Sequence, residues 1–140
     1  MHAEALIDTN VFLYHVDDSD ARKHTIATRI VRSALQTGQG CISYQVVQEF
    51  LNVALRKAEI PLDHAGAAEY LRTVLVPLWR AMPSPTMYER GIAVQARYGF
   101  HFYDSLIVAA ALEAGCSRLL SEDLQHGQRI ETLTVENPFL

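Results

Sequence analysis

The sequence predicts an α/β fold, a three-layer α/β/α sandwich built on a mainly parallel sheet of about five strands. Two observations lead there. Short apolar runs alternate along the chain with longer stretches of helical period, and strands separated by helices imply parallel crossovers that cover both faces of a sheet. The chain is also 140 residues long, the size of a single domain, so residues 1–140 are expected to share one core.

Residues 4–8 read as a short buried strand ending at the polar run Asp8-Thr9-Asn10. Residues 11–16 predict a short helix, closed by the acidic turn at 17–20. A second helix is expected over 21–36, with Ile26, Ile30, Val31, Ala34 and Leu35 along one face. Ser19 or Asp20 can cap its start and Gly38 can close its end. Residues 41–43 form a second strand. The helix expected over 44–57 has Val46, Val47, Phe50, Leu51 and Ala54 at helical spacing, and Gln45, Gln48, Glu49 and Asn52 on the opposite face. Pro61 breaks the chain, and a helix is expected from 62 to 75. Residues 77–80 are the third expected strand, although a proline suits only an edge or a strand start. After the loop Pro83-Ser84-Pro85 comes a helix over 86–98, stopped by Gly99. Residues 102–114 are apolar almost all round, which predicts a buried helix stopped by Gly115. Residues 118–121 and 131–136 supply the fourth and fifth strands. No internal repeat or linker interrupts the pattern.

Hydrophobic residues make up 49% of the chain and charged residues 20%, enough apolar material for a core and no composition of a disordered segment. The apolar stretch 106–112 is too short to cross a bilayer, and the N-terminus lacks a basic segment followed by an apolar one. Two cysteines, Cys41 and Cys116, are too few for a disulfide framework or a zinc cluster. The expectation is a reduced, cytoplasmic protein with no membrane association. A net charge of −4 lacks the basic footprint of most nucleic-acid binders, unless some acids gather around a divalent cation.

Four carboxylates stand out by position. Asp8 ends the first strand, and open α/β sheets bind ligands beyond the carboxyl ends of their strands; a helix cap accounts for the same residue. Asp104 has Ile107, Val108 and Ala111 at three, four and seven positions on. An ionised carboxylate above such a stripe is costly unless a cation or strong donors hold it. A place in the first helical turn explains its position but not the buried stripe beneath it. Asp123 follows the fourth strand and reaches the rim of Asp8 if the two strands are neighbours. Capping of a helix at 124–126 by Ser121 or Asp123 is the structural alternative, and spacing does not say whether Glu122 or Asp123 points inward. Glu49 lies on the polar face of its helix, where a solvated glutamate is the default. Taken together, the four acids belong to elements that converge on one end of a parallel sheet. Hard cations such as Mg²⁺ and Mn²⁺ require carboxylate oxygens of this kind, and they activate water against a phosphodiester.

In order and spacing, Leu6-Ile7-Asp8-Thr9-Asn10, Glu49, Phe102-Tyr103-Asp104-Ser105 and Leu120-Ser121-Glu122-Asp123-Leu124 resemble the PIN domain. The tail from Gln125-His126-Gly127 to Asn137-Pro138-Phe139 is similar to that of VapC-type toxins. The resemblance covers essentially the whole chain. It implies a metal-dependent endoribonuclease, the toxic component of a type II toxin–antitoxin system, using Mg²⁺ or Mn²⁺ on single-stranded RNA. It further implies a homodimer with a cognate antitoxin. By the same resemblance Asp8 and Asp104 are the principal metal ligands, Asp123 completes the site directly or through water, and Glu49 binds a second ion or orients the attacking water. Thr9, Asn10 and Ser121 match supporting polar residues. Arg22, Lys23, Arg29, Arg32, Arg90 and Arg97 are candidate substrate contacts, each equally explained by a solvated helix face.

Other motifs are absent. The histidines form no zinc-like pair, although His101 lies three residues before Asp104, and there is no phosphate-binding glycine loop or nucleophile elbow. Tyr14, Tyr44, Phe50, Tyr70 and the remaining aromatics are expected in the core or at partner contacts rather than as a base-stacking platform. Three other readings are a non-toxin PIN nuclease, a catalytically silent RNA-binding or scaffold protein, and an aspartate-nucleophile phosphotransferase acting through Asp8. The last wants a second Asp two residues on, where this chain has Asn10. Binding of Mg²⁺ or Mn²⁺ separates the silent reading from the nuclease, and an aspartyl-phosphate analogue trapped on Asp8 would mark the phosphotransferase.

Overall fold

The computed structural model of the protein describes residues 3–56 and 62–140. A six-stranded sheet runs in the order β3-β2-β1-β4-β6-β5, where β1 is Ala5–Ile7, β2 Gly40–Ser43, β3 Trp79–Ala81, β4 Arg118–Leu120, β5 Arg129–Ile130 and β6 Leu133–Glu136. All pairings are parallel except β5 with β6. Every residue of β1 and β2 is buried, as central parallel strands require. Successive crossovers carry the chain from β1 to β2 to β3 on one side, then back to β4 on the other side of β1. Strand order therefore reverses between β1 and β4, and a crevice opens there at the carboxyl ends of the strands.

The helices follow from local chemistry. α1 (Thr9–Val16) is capped by Asp8, and α2 (Ala21–Thr37) by Asp20, whose Oδ1 accepts from the Lys23 amide at 3.1 Å. Gly38 and Gly99 terminate α2 and α6 (Pro85–Tyr98) in left-handed conformations that only glycine adopts without strain. α3 (Tyr44–Arg56) follows β2 without a loop; its expected last residue, Lys57, and the breaker Pro61 lie outside the described residues. α7 (Phe102–Glu113) is buried at every position from Ser105 to Leu112. α6 packs along it closely at Gly91, where a Cβ would come within 2.8 Å of the Leu106 side chain. The core includes Leu6, Ile7, Phe12, Ile42, Phe50 and Leu119, each contributing about 1.5–3 kcal/mol by burial. Cys41 and Cys116 are buried free thiols 3.8 Å apart. No helix among the described residues is long and apolar enough to cross a membrane.

Several details depart from the sequence expectations. The sheet has six strands, because Arg129–Ile130 turns back on Leu133–Glu136 as a hairpin. Glu131 and Thr132, expected in a strand, form its turn, with Glu131 at φ 56°. Two residues are too few to show a period. The helix expected to end at 75 runs on: α4 (His64–Tyr70) passes through a π-helical turn (Leu71–Leu75) into α5 (Val76–Leu78). Pro77 has no amide to donate and its ring crowds the preceding turn, which widens so that the Val76 amide bonds Leu71, five residues back. Strand β3 accordingly begins at Trp79 rather than at the proline. Leu35 is 40% exposed, off the core face of α2, and Phe102 and Tyr103 at the start of α7 are exposed although the rest of that helix is not.

Candidate active site

A cleft of about 260 Å³ opens at the switch point, and Asp8, Glu49, Asp104 and Asp123 all line it. The parallel sheet brings them there from far apart. Asp8 and Asp123 follow adjacent strands, and the Asp8 amide extends the ladder by donating to the Leu120 carbonyl at 2.9 Å. α3 starts at the carboxyl end of β2. α7 leads into the amino end of β4, so its first turn, with Asp104, lies at the opposite end beside the other acids.

Asp8 is only 7% exposed. Its Oδ1 accepts from the Thr9 amide at 2.7 Å and its Oδ2 from the Ser121 hydroxyl at 2.8 Å. Both bonds favour the ionised form, yet burial outweighs them and, with the charges of Asp123 and Glu49, raises the carboxyl to about 6. Asp8 is thus a helix cap and a cleft residue at once. Thr9 serves two acids, because its hydroxyl donates to Glu49 Oε1 at 2.7 Å. That bond draws Glu49 into the cleft, not into bulk solvent.

Asp123 receives the Asn10 amide on both oxygens, at 3.2 and 3.4 Å, and its own amide donates to Ser121 Oγ at 3.1 Å. Partial burial, and then the charges of Asp104, Glu122 and Glu49, push its carboxyl up. No helix forms at 124–126, so helix capping does not account for Asp123. Asp104 has no hydrogen-bond donor among the described residues. Glu122 turns away from the cleft, accepting a short bond from the Tyr14 hydroxyl and pairing with Lys23 Nζ at 3.1 Å. The ring of Phe139 packs edge-on against Tyr14, and Arg22 Nη2 donates to the Phe139 carbonyl at 2.7 Å. The tail Asn137-Pro138-Phe139 is therefore a clasp on α1 and α2.

The sequence reading did not single out Gln45 and Asn52, which also line the cleft. With Glu49 they occupy positions i, i+4 and i+7 of α3, the spacing of one helical face. Leu13, Val53 and Ile107 supply an apolar wall. None of the candidate basic residues lines the cleft. Lys23 pairs with Glu122, Arg90 with Glu113, Arg97 lies over the Tyr98 ring, Arg22 holds the tail, and Arg29 and Arg32 project from α2. His101 is exposed at the start of α7 and does not line it either. Among the described residues no three acidic, histidine or cysteine side chains stand close enough to form a ready-made cation cage.

A search of curated proteins finds no sequence match. Several solved structures share the fold. A toxin–antitoxin complex from Klebsiella pneumoniae superposes with a TM-score of 0.69 at 19% identity, over 96% of this chain and 97% of that one. VapC20 of Mycobacterium tuberculosis, described as a sarcin–ricin loop cleaving toxin, gives 0.64 at 21% identity over 85% and 91%. DNA-bound VapBC from Salmonella typhimurium gives 0.67 at 17% identity over 96% and 97%. At these identities the likeness is one of fold. The profile of the PIN domain, however, matches the sequence itself over residues 5–129, and the chain belongs to the PIN domain family.

Proposed function

We propose that this PIN-domain protein is a metal-dependent endoribonuclease and the toxin of a type II toxin–antitoxin pair. The observation that carries the reading is the gathering of Asp8, Glu49, Asp104 and Asp123 on one cleft at the strand switch point. RNA as substrate is supported by the described activity of VapC20, and an antitoxin partner by the complexes that share the fold. A homodimer is part of the same proposal.

The donor set fits a hard divalent cation. Among the described residues four carboxylates and no Lys or Arg line the cleft and none donates to Asp104, and burial and mutual repulsion raise Asp8 and Asp123. Asp8, Asp104 and Asp123 would hold the ion. Mg²⁺ or Mn²⁺ there supplies Lewis-acid chemistry, polarising a phosphodiester and making water more acidic. The chain's own residues do the rest. Glu49, its Oε1 held by Thr9, offers Oε2 to take the proton of the attacking water. Ser121 orients Asp8, Asn10 orients Asp123, and Leu13, Val53 and Ile107 limit the access of bulk water.

The test is cleavage of single-stranded RNA in Mg²⁺ by the purified chain, its Asp104→Asn variant, and wild type with a chelator. Only untreated wild type should cut, with folding preserved in all three. If Asp104→Asn cut as fast as wild type, the assigned site would be wrong. The toxin reading is tested separately by growth arrest on induction, which should disappear in Asp8→Ala.

A further inference from the structure

The acid cleft does not end at Asp104. It continues across a shallow depression of about 320 Å³ bounded by Gln45, Gln48, Glu49, Asn52 and Tyr103. Beyond lies a narrow groove of about 70 Å³ between α3, α6 and α7, rimmed by Tyr44, Tyr88 and Tyr103. Gln45 lines all three hollows, and its Nε2 donates to the Tyr103 carbonyl at 3.1 Å, tying α3 to the start of α7. Single exposed aromatics are ordinary, but here Tyr103 is 66% exposed, with Tyr44, Tyr88 and Phe102 also exposed, and all but Phe102 line one groove that leads into the acids.

Charge decides what such a groove can hold. Proteins usually grip nucleic acids by neutralising phosphates with Lys and Arg. No Lys or Arg among the described residues lines any of the three hollows, and the cleft itself carries four carboxylates. Apart from a cation among the acids, a strand lying here must gain its affinity from its bases. The groove offers the two features that bases recognise: an exposed aromatic face for stacking, and amide groups that pair a donor with an acceptor. Neither Gln48 nor Asn52 has a side-chain hydrogen-bond partner among the described residues, so both amides are available. Only an unpaired base presents its face and its edge together.

Building on the nuclease reading, we propose that Tyr103 is the stacking platform for an unpaired nucleobase next to the scissile phosphate, with Gln48 and Asn52 reading the base edge. This subsite sets the requirement for single-stranded RNA and supplies affinity where no Lys or Arg among the described residues lines the hollows. Tyr103 adjoins Asp104 in sequence, so a base stacked on it holds the neighbouring phosphate beside the acids.

The test uses the full-length protein and a fluorescein-labelled single-stranded RNA decamer of randomised sequence. Binding is read by anisotropy, and cleavage in Mg²⁺ or Mn²⁺ by KM and kcat. Tyr103→Ala should weaken binding and raise KM roughly 5- to 100-fold with a smaller change in kcat, and Tyr103→Phe, which keeps the ring, should restore affinity to within about twofold. Ile92→Ala, exposed on α6 and not among the residues lining the groove, is the control. If wild type cuts and Tyr103→Ala cuts with unchanged KM, the subsite is wrong, the nuclease stands, and the groove is left to a peptide partner. Tyr103-dependent binding without cleavage would sink the nuclease and the subsite's place beside a scissile phosphate, and keep only the stacking of a base on Tyr103. Neither binding nor cleavage by wild type would overturn both.

Discussion

With no cation bound, ionised Asp8 weakens the fold, so Asp8→Asn should make the cation-free protein more stable at neutral pH. The carboxyl sits at about 6 in the folded chain against an ordinary 3.8. A displacement of about two pH units corresponds to about 3 kcal/mol between the protonation states. The sign follows from which state holds the proton more tightly. Here it is the folded state, so stability is highest where Asp8 is protonated in both states, falls as pH rises from about 3.8 through about 6, and carries the full penalty above that. Asparagine keeps Oδ1 as acceptor for the Thr9 amide, but its amide nitrogen replaces Oδ2, the acceptor of the Ser121 hydroxyl. Ser121 must then accept instead of donate, leaving its own proton unpaired at a cost of about 1 kcal/mol. The net gain is about 2 kcal/mol, a rise in Tm of about 6 °C at pH 7.5 in a chelator. At pH 4 the gain should turn into a loss of about 0.5 kcal/mol, because the Asp8 penalty that the variant relieves is then only about 0.5 kcal/mol against the same cost at Ser121. Thermal unfolding followed by circular dichroism at the two pH values reads both numbers. An Asp8→Asn protein less stable than wild type at pH 7.5, or a gain of equal size at pH 4, would refute the reasoning. Adding Mg²⁺ should reverse the order by stabilising wild type alone, most strongly above pH 6 where Asp8 is ionised.

Four other perturbations test separate parts of the reasoning. Thr9→Val removes the hydroxyl that holds Glu49 and should lower kcat about 10- to 100-fold, the worth of one charge-assisted hydrogen bond, with Thr9→Ser restoring it. Glu122→Gln removes the charge paired with Lys23, leaving an amide oxygen to accept from Tyr14, and should lower Tm while cleavage stays within about twofold of wild type. Asp123→Asn, one residue on, should do the reverse and cut cleavage, and equal losses in the two would mean that both acids face the cleft. Gly40→Ala would press a Cβ to 2.7 Å from the Ala34 Cβ and 2.9 Å from Ile7 Cδ1, which should lower stability by about 1–3 kcal/mol in denaturant titration.

Much of the fold was legible because period and turn chemistry are local. Alternating apolar runs and helical stretches implied a parallel sheet, Ser19 or Asp20 and then Gly38 marked the ends of α2, and the buried stripe below Asp104 made that residue conspicuous. Local signals failed where an element was too short to have a period, as in β5, or where a proline was absorbed by a wider turn, as at Pro77. They failed again at α3, where the polar face read as solvated because nothing nearby in the chain announces that Thr9, forty residues earlier, takes hold of Glu49.

Residue type and spacing were enough to mark the alternation of strands and helices, the place of Asp8 and Asp123 after their strands, and Asp104 above a buried stripe. Tertiary structure alone chose between Glu122 and Asp123, opened the groove beside Tyr103, and kept every candidate arginine away from the cleft. A side chain at a strand end can turn either way at little local cost. The choice falls to partners brought close by the crossovers: Tyr14 and Lys23 take Glu122 from 108 and 99 residues away, and Asn10 takes Asp123 from 113.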